Sequence, residues 1–506
     1  MSLTTERFAL GVALLIGVVV RAAPIVGADS VVGDGGLWFA MIDDIRAAGL
    51  TIPTTTSYND LGIPFVYPPA ALLGTGAIGE LFGIPTIELL RWAPLALSIL
   101  GLAAFAWLAV RTLNPAAAAA ATLAYGLMPS GYGWLVAGGG LTRGAGLIFA
   151  LLAAGLVATR PGQVPTWRTA ALAGALLGLS ALCHPQTAIF GVLACVVLSW
   201  RRPARPWLIN VGIAAAVGFV VALPWLIGLV AEGGLAAVFG AGGRWEPVTG
   251  VIRLVNLRFS AAPFMDVVAI AAVAGIVTSL ARRRFRIPIL LVAVYVAGVG
   301  GGEFLAAPVW ALLAVTGVMS LAFLMRRSLH DASRPLTRAV LVGTAVVALF
   351  LALIGSFGST TDKSSKLHPL PVSQIEAMEW IRDHAAPDAV VIVPSDEVWG
   401  FDDIGEWLPA IAERHSIGTV QGSEWLGREG FRSQLERHRD VRACAGATAA
   451  CYAAIDPTAL IYVPKGQLNG LFSPEDCCPA LRETLEEAGY EIVFDGPGAT
   501  IAAPSG

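Results

Sequence analysis

Long runs of apolar residues fill this sequence, and they fix the environment in which the chain can fold. A helix needs about 20 apolar residues to cross the hydrocarbon core of a bilayer. Of the 506 residues, 56% are hydrophobic and 14% are charged, whereas soluble domains carry about 25% charged residues. This composition excludes a soluble globular protein and predicts a polytopic α-helical membrane protein. No basic stripe is interleaved with aromatic residues, so nucleic acid is not an expected partner.

About eleven transmembrane helices are predicted from these runs, several of them short. The first is predicted to stay in the chain as a span and not to be a signal peptide, because its flank holds one Arg and one Glu and no small-residue cleavage site follows. The predicted spans lie at 8–26, 88–110, 115–136, 143–159, 168–183, 186–200, 206–230, 263–281, 287–301, 304–325 and 337–357.

The charges divide the chain into two parts. Residues 1–357 carry 22 Arg, no Lys and 13 Asp or Glu, whereas residues 358–506 carry 11 Lys or Arg and 23 Asp or Glu. In the first part, 15 of the 22 arginines fall in alternate connections between spans. Cationic residues near span ends stay on the cytoplasmic side. We therefore expect a multi-pass protein of the cytoplasmic membrane, with its N-terminus inside and its acidic tail outside.

The first outer loop, residues 27–67, is expected to contain a helix lying along the membrane surface. Leu37, Met41 and Ile45 recur at helical spacing and form an apolar stripe opposite Asp43 and Asp44. A second interfacial helix is predicted at 68–82. Its 15-residue apolar run, Pro68–Phe82, would reach only about 22 Å as a helix, short of a bilayer core of about 30 Å.

The tail, residues 358–506, is predicted to be an extracytoplasmic soluble α/β domain that follows a hinge at 363–371. Ser373 and Glu376 have the spacing of a capping box at the start of a helix. Strands are expected at 389–393, 460–463 and 492–494. The even number of tail cysteines favours disulfides, with three pairings open, over a zinc site whose spacing they do not fit. These disulfide candidates are Cys444, Cys451, Cys477 and Cys478.

Asp34 is the most informative polar residue of the first outer loop. It stands where the chain leaves the membrane, in the run Gly33–Phe39 that opens the interfacial helix. A carboxylate there can cap the free N–H groups of the helix. It can also act as a general base towards an attacking hydroxyl at a low-dielectric surface. Spacing alone favours the cap.

Short motifs are spread over most of the chain: Gly33–Asp44, Tyr58-Asn59, Ile63-Pro64-Phe65, Tyr67-Pro68-Pro69, Gly138–Arg143, His184-Pro185, Glu406–Pro409 and Gly422–Trp425. Together and in this order they resemble the GT-C superfamily of glycosyltransferases, more narrowly its poorly characterised prokaryotic members. The resemblance implies an enzyme that takes a sugar from a polyprenyl-phosphate donor at the outer membrane face, with an aspartate of the first outer loop as base. It also implies interfacial helices in that loop and a soluble C-terminal domain, and it favours Asp34 as the catalytic residue.

The second outer loop departs from part of that superfamily, in which an acidic pair of this loop helps to hold a divalent metal. Residues 136–146 contain no Asp or Glu, but they include Arg143 among five glycines. Backbone N–H groups of a glycine turn, here Gly139 and Gly140, can approach a phosphate closely, and Arg can grip it with two donors. We therefore expect a metal-independent enzyme whose donor phosphate binds Arg143. The alternative is that the glycines allow tight helix packing and Arg143 pairs with an outer carboxylate.

Further candidates lie at other outer positions, each with a structural alternative. Arg91 can meet the same phosphate or pair with Glu88 three residues earlier. His184 is a candidate phosphate ligand, although a histidine at a span end is more often structural. Tyr67 can contact the sugar or acceptor, or simply anchor the interface. The remaining weak candidates for acceptor or sugar binding are Arg244, Trp245 and Glu303.

The function expected from these features is inverting glycosyl transfer from a polyprenyl-phosphate-linked sugar to a glycan, lipid or protein hydroxyl. No cofactor is expected. One alternative is a transporter or flippase of lipid-linked glycans, which would need polar residues near mid-span, and few are present. The other is a non-catalytic membrane scaffold, for which Asp34 would be dispensable.

Overall fold

The structure is a computed structural model that describes residues 3–158, 165–200, 204–232, 252, 266–298, 303–328, 343, 347, 349–356, 358, 367–465 and 478–505. The part of the chain before the tail, residues 1–357, is called the body. Its described part consists mainly of apolar helices. They are α1 (Leu3–Val26), α2 (Gly36–Ala47), α3 (Ala70–Phe82), α4 (Thr86–Thr112), α5 (Pro115–Leu127), α6 (Gly133–Val136), α7 (Gly140–Val157), α8 (Trp167–Cys183), α9 (Pro185–Ser199), α10 (Ala204–Glu232), α11 (Asp266–Ala281), α12 (Arg286–Val296) and α13 (Glu303–Ser328).

Among the described residues, five helices are long and apolar enough to cross a membrane: Thr5–Val26, Thr86–Thr112, Gly140–Val157, Arg205–Ala231 and Glu303–Leu324. Six further apolar helices are 10–17 residues long, α3 among them. These helices fit a membrane protein. The predicted span at 115–136 is not a single helix, because α5 ends at Leu127 and the turn Pro129–Gly131 separates it from α6. A proline cannot donate its backbone nitrogen to a helix that runs through it.

The tail folds as a small α/β unit around one five-stranded sheet, with strand order β2-β1-β3-β5-β4. Strands β2, β1 and β3 are parallel, whereas β5 runs antiparallel to β3 and β4. The elements are α14 (Val372–His384), β1 (Val390–Ile392), α15 (Asp403–Ala412), β2 (His415–Ser416), α16 (Gly427–Ala443), α17 (Ala449–Ile455), β3 (Leu460–Pro464), α18 (Pro479–Glu483), β4 (Tyr490–Asp495) and β5 (Ala499–Pro504).

Local signals in the tail sequence found three of its strands but missed two. The predicted strands correspond to β1, β3 and β4, whereas β2 and β5 have no counterpart among the predictions. The capping-box prediction was wrong in detail. Helix α14 begins at Val372 with Pro371 as its N-cap, and no side chain caps it. Proline fits the start of a helix because the first N–H groups have no partner within the helix.

The cysteine prediction is confirmed in part. Cys444 and Cys451 form a disulfide that links the end of α16 to α17. Cys478 is also disulfide-bonded, whereas Cys477 lies outside the described residues.

The tail packs directly against the first loop of the body, and this contact decides where the candidate site lies. Leu37, Met41 and Ile45 on the apolar stripe of α2 are 2% exposed or less, in one hydrophobic cluster with Trp407 and Leu408 of α15. Protein therefore covers the stripe that the periodicity indicated. The position of α2 relative to the membrane surface stays a prediction.

The described part of the predicted hinge also contacts the first loop. Gly33 donates its backbone N–H to the carbonyl of His368, 2.9 Å away, and Leu370 donates to Val31, also 2.9 Å away. Two β-type backbone bonds therefore join the start of the tail to the residues that precede Asp34.

Candidate active site

Asp34 lies in a short loop that is bonded on both sides. Before it, Gly33 is bonded to the tail backbone and accepts a hydrogen bond from the Trp407 indole N–H, 2.8 Å away. After it, α2 begins at Gly36 with Gly35 as its N-cap, and no side chain caps the helix. The alternative that Asp34 caps α2 is therefore wrong, and the carboxylate is directed elsewhere.

The glycine turn before α7 lies against Asp34. Gly139 donates its N–H to the Asp34 carbonyl at 2.6 Å, and Gly138 donates to the Val32 carbonyl at 2.8 Å. A Cβ atom at Gly139 would lie 2.6 Å from the Asp34 carboxylate, and one at Gly138 would lie 2.6 Å from the Asp34 carbonyl oxygen. Only glycine therefore allows this approach. Gly140 instead packs against Leu135, whose carbonyl oxygen would be 2.5 Å from an added Cβ.

Arg143 lies in the first turn of α7 and faces Asp34 across this turn. Its Nη2 is 3.5 Å from Asp34 Oδ2, and its guanidinium lies 5.0 Å from the centre of the Trp134 ring. Nη1 is buried and has no hydrogen-bond partner within the described residues. The N-terminus of α7 has no side-chain cap. A helix N-terminus and a guanidinium with an unused donor together favour an anion at this position.

The tail contributes Glu406, which completes the polar cluster from the other side. Glu406 Oε1 accepts a hydrogen bond from the Gly35 N–H at 3.1 Å, and its backbone carbonyl accepts one from the Tyr58 hydroxyl at 2.7 Å. Burial raises the pKa of Glu406 well above its usual range, and the negative charge of Asp34 adds to this effect. Sequence reasoning assigned Glu406 no role, although the motif Glu406–Pro409 was among the matches to the GT-C superfamily.

Aromatic side chains from three segments border the cluster. Tyr67 has its ring centre 4.2 Å from that of Trp38 and 5.8 Å from that of Trp425, and its hydroxyl is 3.0 Å from Thr142 Oγ1. Burial raises the pKa of Tyr67 to about 12. Burial also raises the pKa of Glu424, beside Trp425, to about 7. Tyr67 is therefore neutral at physiological pH and is fixed next to the residue that precedes Arg143.

Two other predicted phosphate ligands differ in their surroundings. Arg91 already has partners, because it donates to the Ala28 carbonyl, lies 3.9 Å from Glu88 and stacks over Trp92. The ion pair with Glu88 is the structural alternative considered for Arg91. His184 has a buried Nδ1 with no partner in the described part of the chain, and it interacts electrostatically with Arg143.

Of the weak candidates for acceptor or sugar binding, the structure describes Tyr67 and Glu303. Glu303 is the first residue of α13 and is partly buried. Arg244 and Trp245 lie outside the described residues. Within the described ranges, no three His, Cys, Asp or Glu side chains are grouped so that they could hold a metal ion. Metal independence stays a prediction.

Comparisons with known proteins identify the fold. No protein-family model and no curated protein sequence matches the chain. Among solved structures, an oligosaccharyltransferase from Archaeoglobus fulgidus, tethered with an acceptor peptide containing the NVT sequon, is similar with a TM-score of 0.60 and 16% identity. The match covers 83% of this chain and 64% of that one.

Two further solved structures are similar over nearly the whole of this chain. ArnT from Cupriavidus metallidurans, bound to undecaprenyl phosphate, has a TM-score of 0.54 and 15% identity, with 99% of this chain and 98% of that chain covered. The arabinofuranosyltransferase AftD from Mycobacteria has a TM-score of 0.55 and 17% identity, with 100% and 40% covered. These neighbours are GT-C glycosyltransferases. The chain therefore has the fold of the GT-C glycosyltransferase superfamily.

Proposed function

We propose that this protein is an inverting glycosyltransferase that moves a sugar from a polyprenyl-phosphate donor to an acceptor hydroxyl on the outer face of the cytoplasmic membrane. The observation that carries the proposal is the Asp34–Arg143 pair, a carboxylate and a partly satisfied guanidinium 3.5 Å apart. The pair lies between the first loop and the N-terminus of α7. A carboxylate can act as a general base and a guanidinium can bind an anion, and this pair places the two groups side by side.

Arg143 and the N-terminus of α7 are proposed to bind the donor phosphate. When the phosphate binds, it competes with Asp34 for the guanidinium and also reaches the buried, unused Nη1. Asp34 is then released to accept the proton of the acceptor hydroxyl. The separation of 3.5 Å, longer than the 2.7–2.9 Å of a tight charge-assisted hydrogen bond, fits a pair that can exchange partners.

The reaction follows from these positions. Asp34 takes the proton of the acceptor hydroxyl, and the acceptor oxygen attacks the anomeric carbon from the face opposite the phosphate. The bond from the anomeric carbon to the phosphate oxygen breaks, and its electron pair leaves with polyprenyl phosphate. This leaving group is a stabilised anion that needs no proton, so Arg143 and the helix N-terminus supply the main stabilisation of the developing charge. The configuration at the anomeric carbon is inverted.

The similarity to a structure bound to undecaprenyl phosphate supports a lipid-linked donor for this chain. The apolar helices α4 and α7, which carry Arg91 and Arg143 respectively, are a suitable environment for the isoprenoid tail. The proposed orientation places the N-terminus in the cytoplasm and the candidate site and the tail outside. The acceptor is a glycan, lipid or protein hydroxyl, and no metal or other cofactor takes part in the proposed steps.

The direct test uses purified protein in lipid with a panel of radiolabelled polyprenyl-phosphate sugars and candidate acceptors, and it measures release of polyprenyl phosphate. Asp34→Asn keeps the size of the side chain but removes the base. We expect this variant to lose about 10²- to 10⁴-fold in turnover while it still binds the donor. Asp29→Asn is the matched control, because Asp29 is an exposed carboxylate of the same loop.

The outcomes separate the three functions considered. Turnover by the wild type and the control but not by Asp34→Asn supports the transferase. Equal turnover by all three would exclude Asp34 as the base. Donor movement across the bilayer without chemistry would favour a flippase, and absence of donor binding throughout would favour a scaffold.

A further inference from the structure

We propose that Glu406 is a positioning residue for this reaction: it holds the loop that carries Asp34 in place opposite Arg143. This inference rests on the proposed function. It assigns the tail a direct part in the site, because Glu406 comes from α15, 372 positions after Asp34 in the sequence.

The geometry around Glu406 supports a positioning role. Its side chain accepts the N–H of Gly35, the residue directly after Asp34, at 3.1 Å. The Glu406 carbonyl and the Trp407 side chain touch the same loop: a Cβ atom at Gly36 would clash with the Glu406 carbonyl oxygen, and the Trp407 indole donates to the Gly33 carbonyl. Residues 33–36 therefore lie against the start of α15 with no space for rearrangement. A shift of Glu406 would move the backbone of Asp34.

Burial and the charges around Glu406 act together on its protonation state. The charged and titratable groups that act on Glu406 are Asp34 in the loop, Arg143 in α7 and Tyr58 in the first loop, with Asp403 on its own helix. Asp34 and Asp403 disfavour a second negative charge, whereas the Gly35 N–H and Arg143 favour it. Burial, with Glu406 only 7% exposed, acts in the same direction as the two carboxylates and is the largest effect.

A neutral Glu406 suits the proposed reaction for an electrostatic reason. An ionised Glu406 would compete with Asp34 and with the donor phosphate for Arg143. It would also place a fixed negative charge near the point where polyprenyl phosphate leaves. The raised pKa keeps the Glu406 carboxyl protonated to a higher pH than usual. When the carboxyl ionises as the pH rises further, it competes for Arg143 and the rate of turnover falls. The expected result is a fall in turnover on the alkaline side.

The test compares the pH profile of turnover in the wild type, Glu406→Gln and Glu406→Ala. Glutamine keeps an acceptor for the Gly35 N–H and cannot ionise. We expect Glu406→Gln to retain turnover at the wild-type optimum and to lose the alkaline fall that Glu406 causes. Glu406→Ala, which leaves Gly35 without its partner, should lose on the order of a hundredfold at every pH. Glu429→Gln is the control, because Glu429 is an exposed carboxylate of the same tail.

Thermal unfolding gives a readout that does not depend on turnover. A carboxyl whose pKa is raised on folding stabilises the fold less as pH rises from its usual value of 4.5 to its folded value, because the folded state holds the proton more tightly. Glu406→Gln should therefore unfold at a higher temperature than the wild type near neutral pH. At a pH well below 4.5, this difference should disappear.

These two measurements separate the inference from the proposed function. A Tm difference between Glu406→Gln and the wild type that grows with pH would support a neutral Glu406. If neither protein showed turnover, the same result would stand while the proposed transferase function would be rejected. If the wild type turns over but Glu406→Gln keeps the wild-type pH profile and Tm at every pH, Glu406 does not act through its protonation state. A loss of turnover in Glu406→Gln as large as in Glu406→Ala would also overturn the proposal.

Discussion

Two arginines in different regions of the molecule show how the same side chain can be structural or available to a ligand. Arg21, inside the helix bundle, is 0% exposed and donates to the Ser98 carbonyl at 2.9 Å, to Ser98 Oγ at 2.8 Å and to the Tyr125 carbonyl at 3.4 Å. Arg143, at the candidate site, keeps 21% of its side chain exposed and has one ion pair at 3.5 Å.

Both arginines lie over aromatic rings, so stacking does not distinguish them. Arg21 lies 4.9 Å from the Tyr125 ring centre, and Arg143 lies 5.0 Å from that of Trp134. The difference is in the terminal nitrogens. Both Nη1 and Nη2 of Arg21 donate to neighbouring helices, whereas Nη1 of Arg143 is buried without a partner in the described structure. Nε of Arg21 has no partner within the described residues, but both of its terminal nitrogens are bonded to helices. Arg143 keeps one terminal nitrogen that can receive a ligand.

The same substitution at the two sites should therefore give opposite results. We expect Arg143→Lys to cost about 100-fold in turnover (~2.7 kcal/mol), because one ammonium cannot replace both donors of the fork to a phosphate. Its Tm should stay close to that of the wild type. Steady-state turnover and a binding titration with undecaprenyl phosphate measure the effect. Arg168→Lys, at an exposed position, is the control. A large Tm loss in Arg143→Lys would make Arg143 structural.

Arg21→Lys should act on stability instead. A lysine cannot reach Ser98 and Tyr125 at once, so we expect a loss of about 1–2 kcal/mol in the free energy of unfolding. Unfolding in a detergent series measures this loss. Donor affinity of the folded fraction should remain unchanged. Weaker donor affinity without a loss of stability would show that the comparison between the two arginines is mistaken.

Tyr67→Phe should give the smallest effect on stability and turnover, and it tests a residue at the border of the site that contains Arg143. The change removes only the hydroxyl that lies 3.0 Å from Thr142 Oγ1, which we expect to cost about 0.5–1.5 kcal/mol of stability. Turnover should change little if Tyr67 is an interface anchor, and it should fall about tenfold if the hydroxyl contacts the sugar. Measuring KM and kcat separately for each acceptor distinguishes these two roles.

The helices could be predicted from the sequence better than the contacts of the candidate site, for a physical reason. Apolar length and helical spacing are local properties, so the helices of the body and the stripe on α2 could be predicted. The proximity of Asp34 to Gly139 and Arg143 is not local. Only the resemblance to the GT-C superfamily connected the first two outer loops.

Glu406 and Arg21 show what the sequence could not supply. Glu406 stands in a motif that matched the superfamily, but its significance comes from burial against a loop that lies several hundred residues earlier. Arg21 stands near the end of a span like other arginines, and only the positions of Ser98 and Tyr125 show that its donors are used. In the tail, β2 has only two residues, too few for a periodic signal.

The contact between Asn59 and Ser416 has a consequence for how the protein is made. The Asn59 side chain accepts the Ser416 N–H at 2.6 Å and donates to the Ser416 carbonyl at 3.2 Å, across 357 positions of sequence. When the helices between these two residues have been synthesised, Ser416 is not yet available to bond Asn59. The loop that carries Asp34 therefore reaches its final form only after the chain has been made as far as Ser416, so the site assembles later than the helices that precede it.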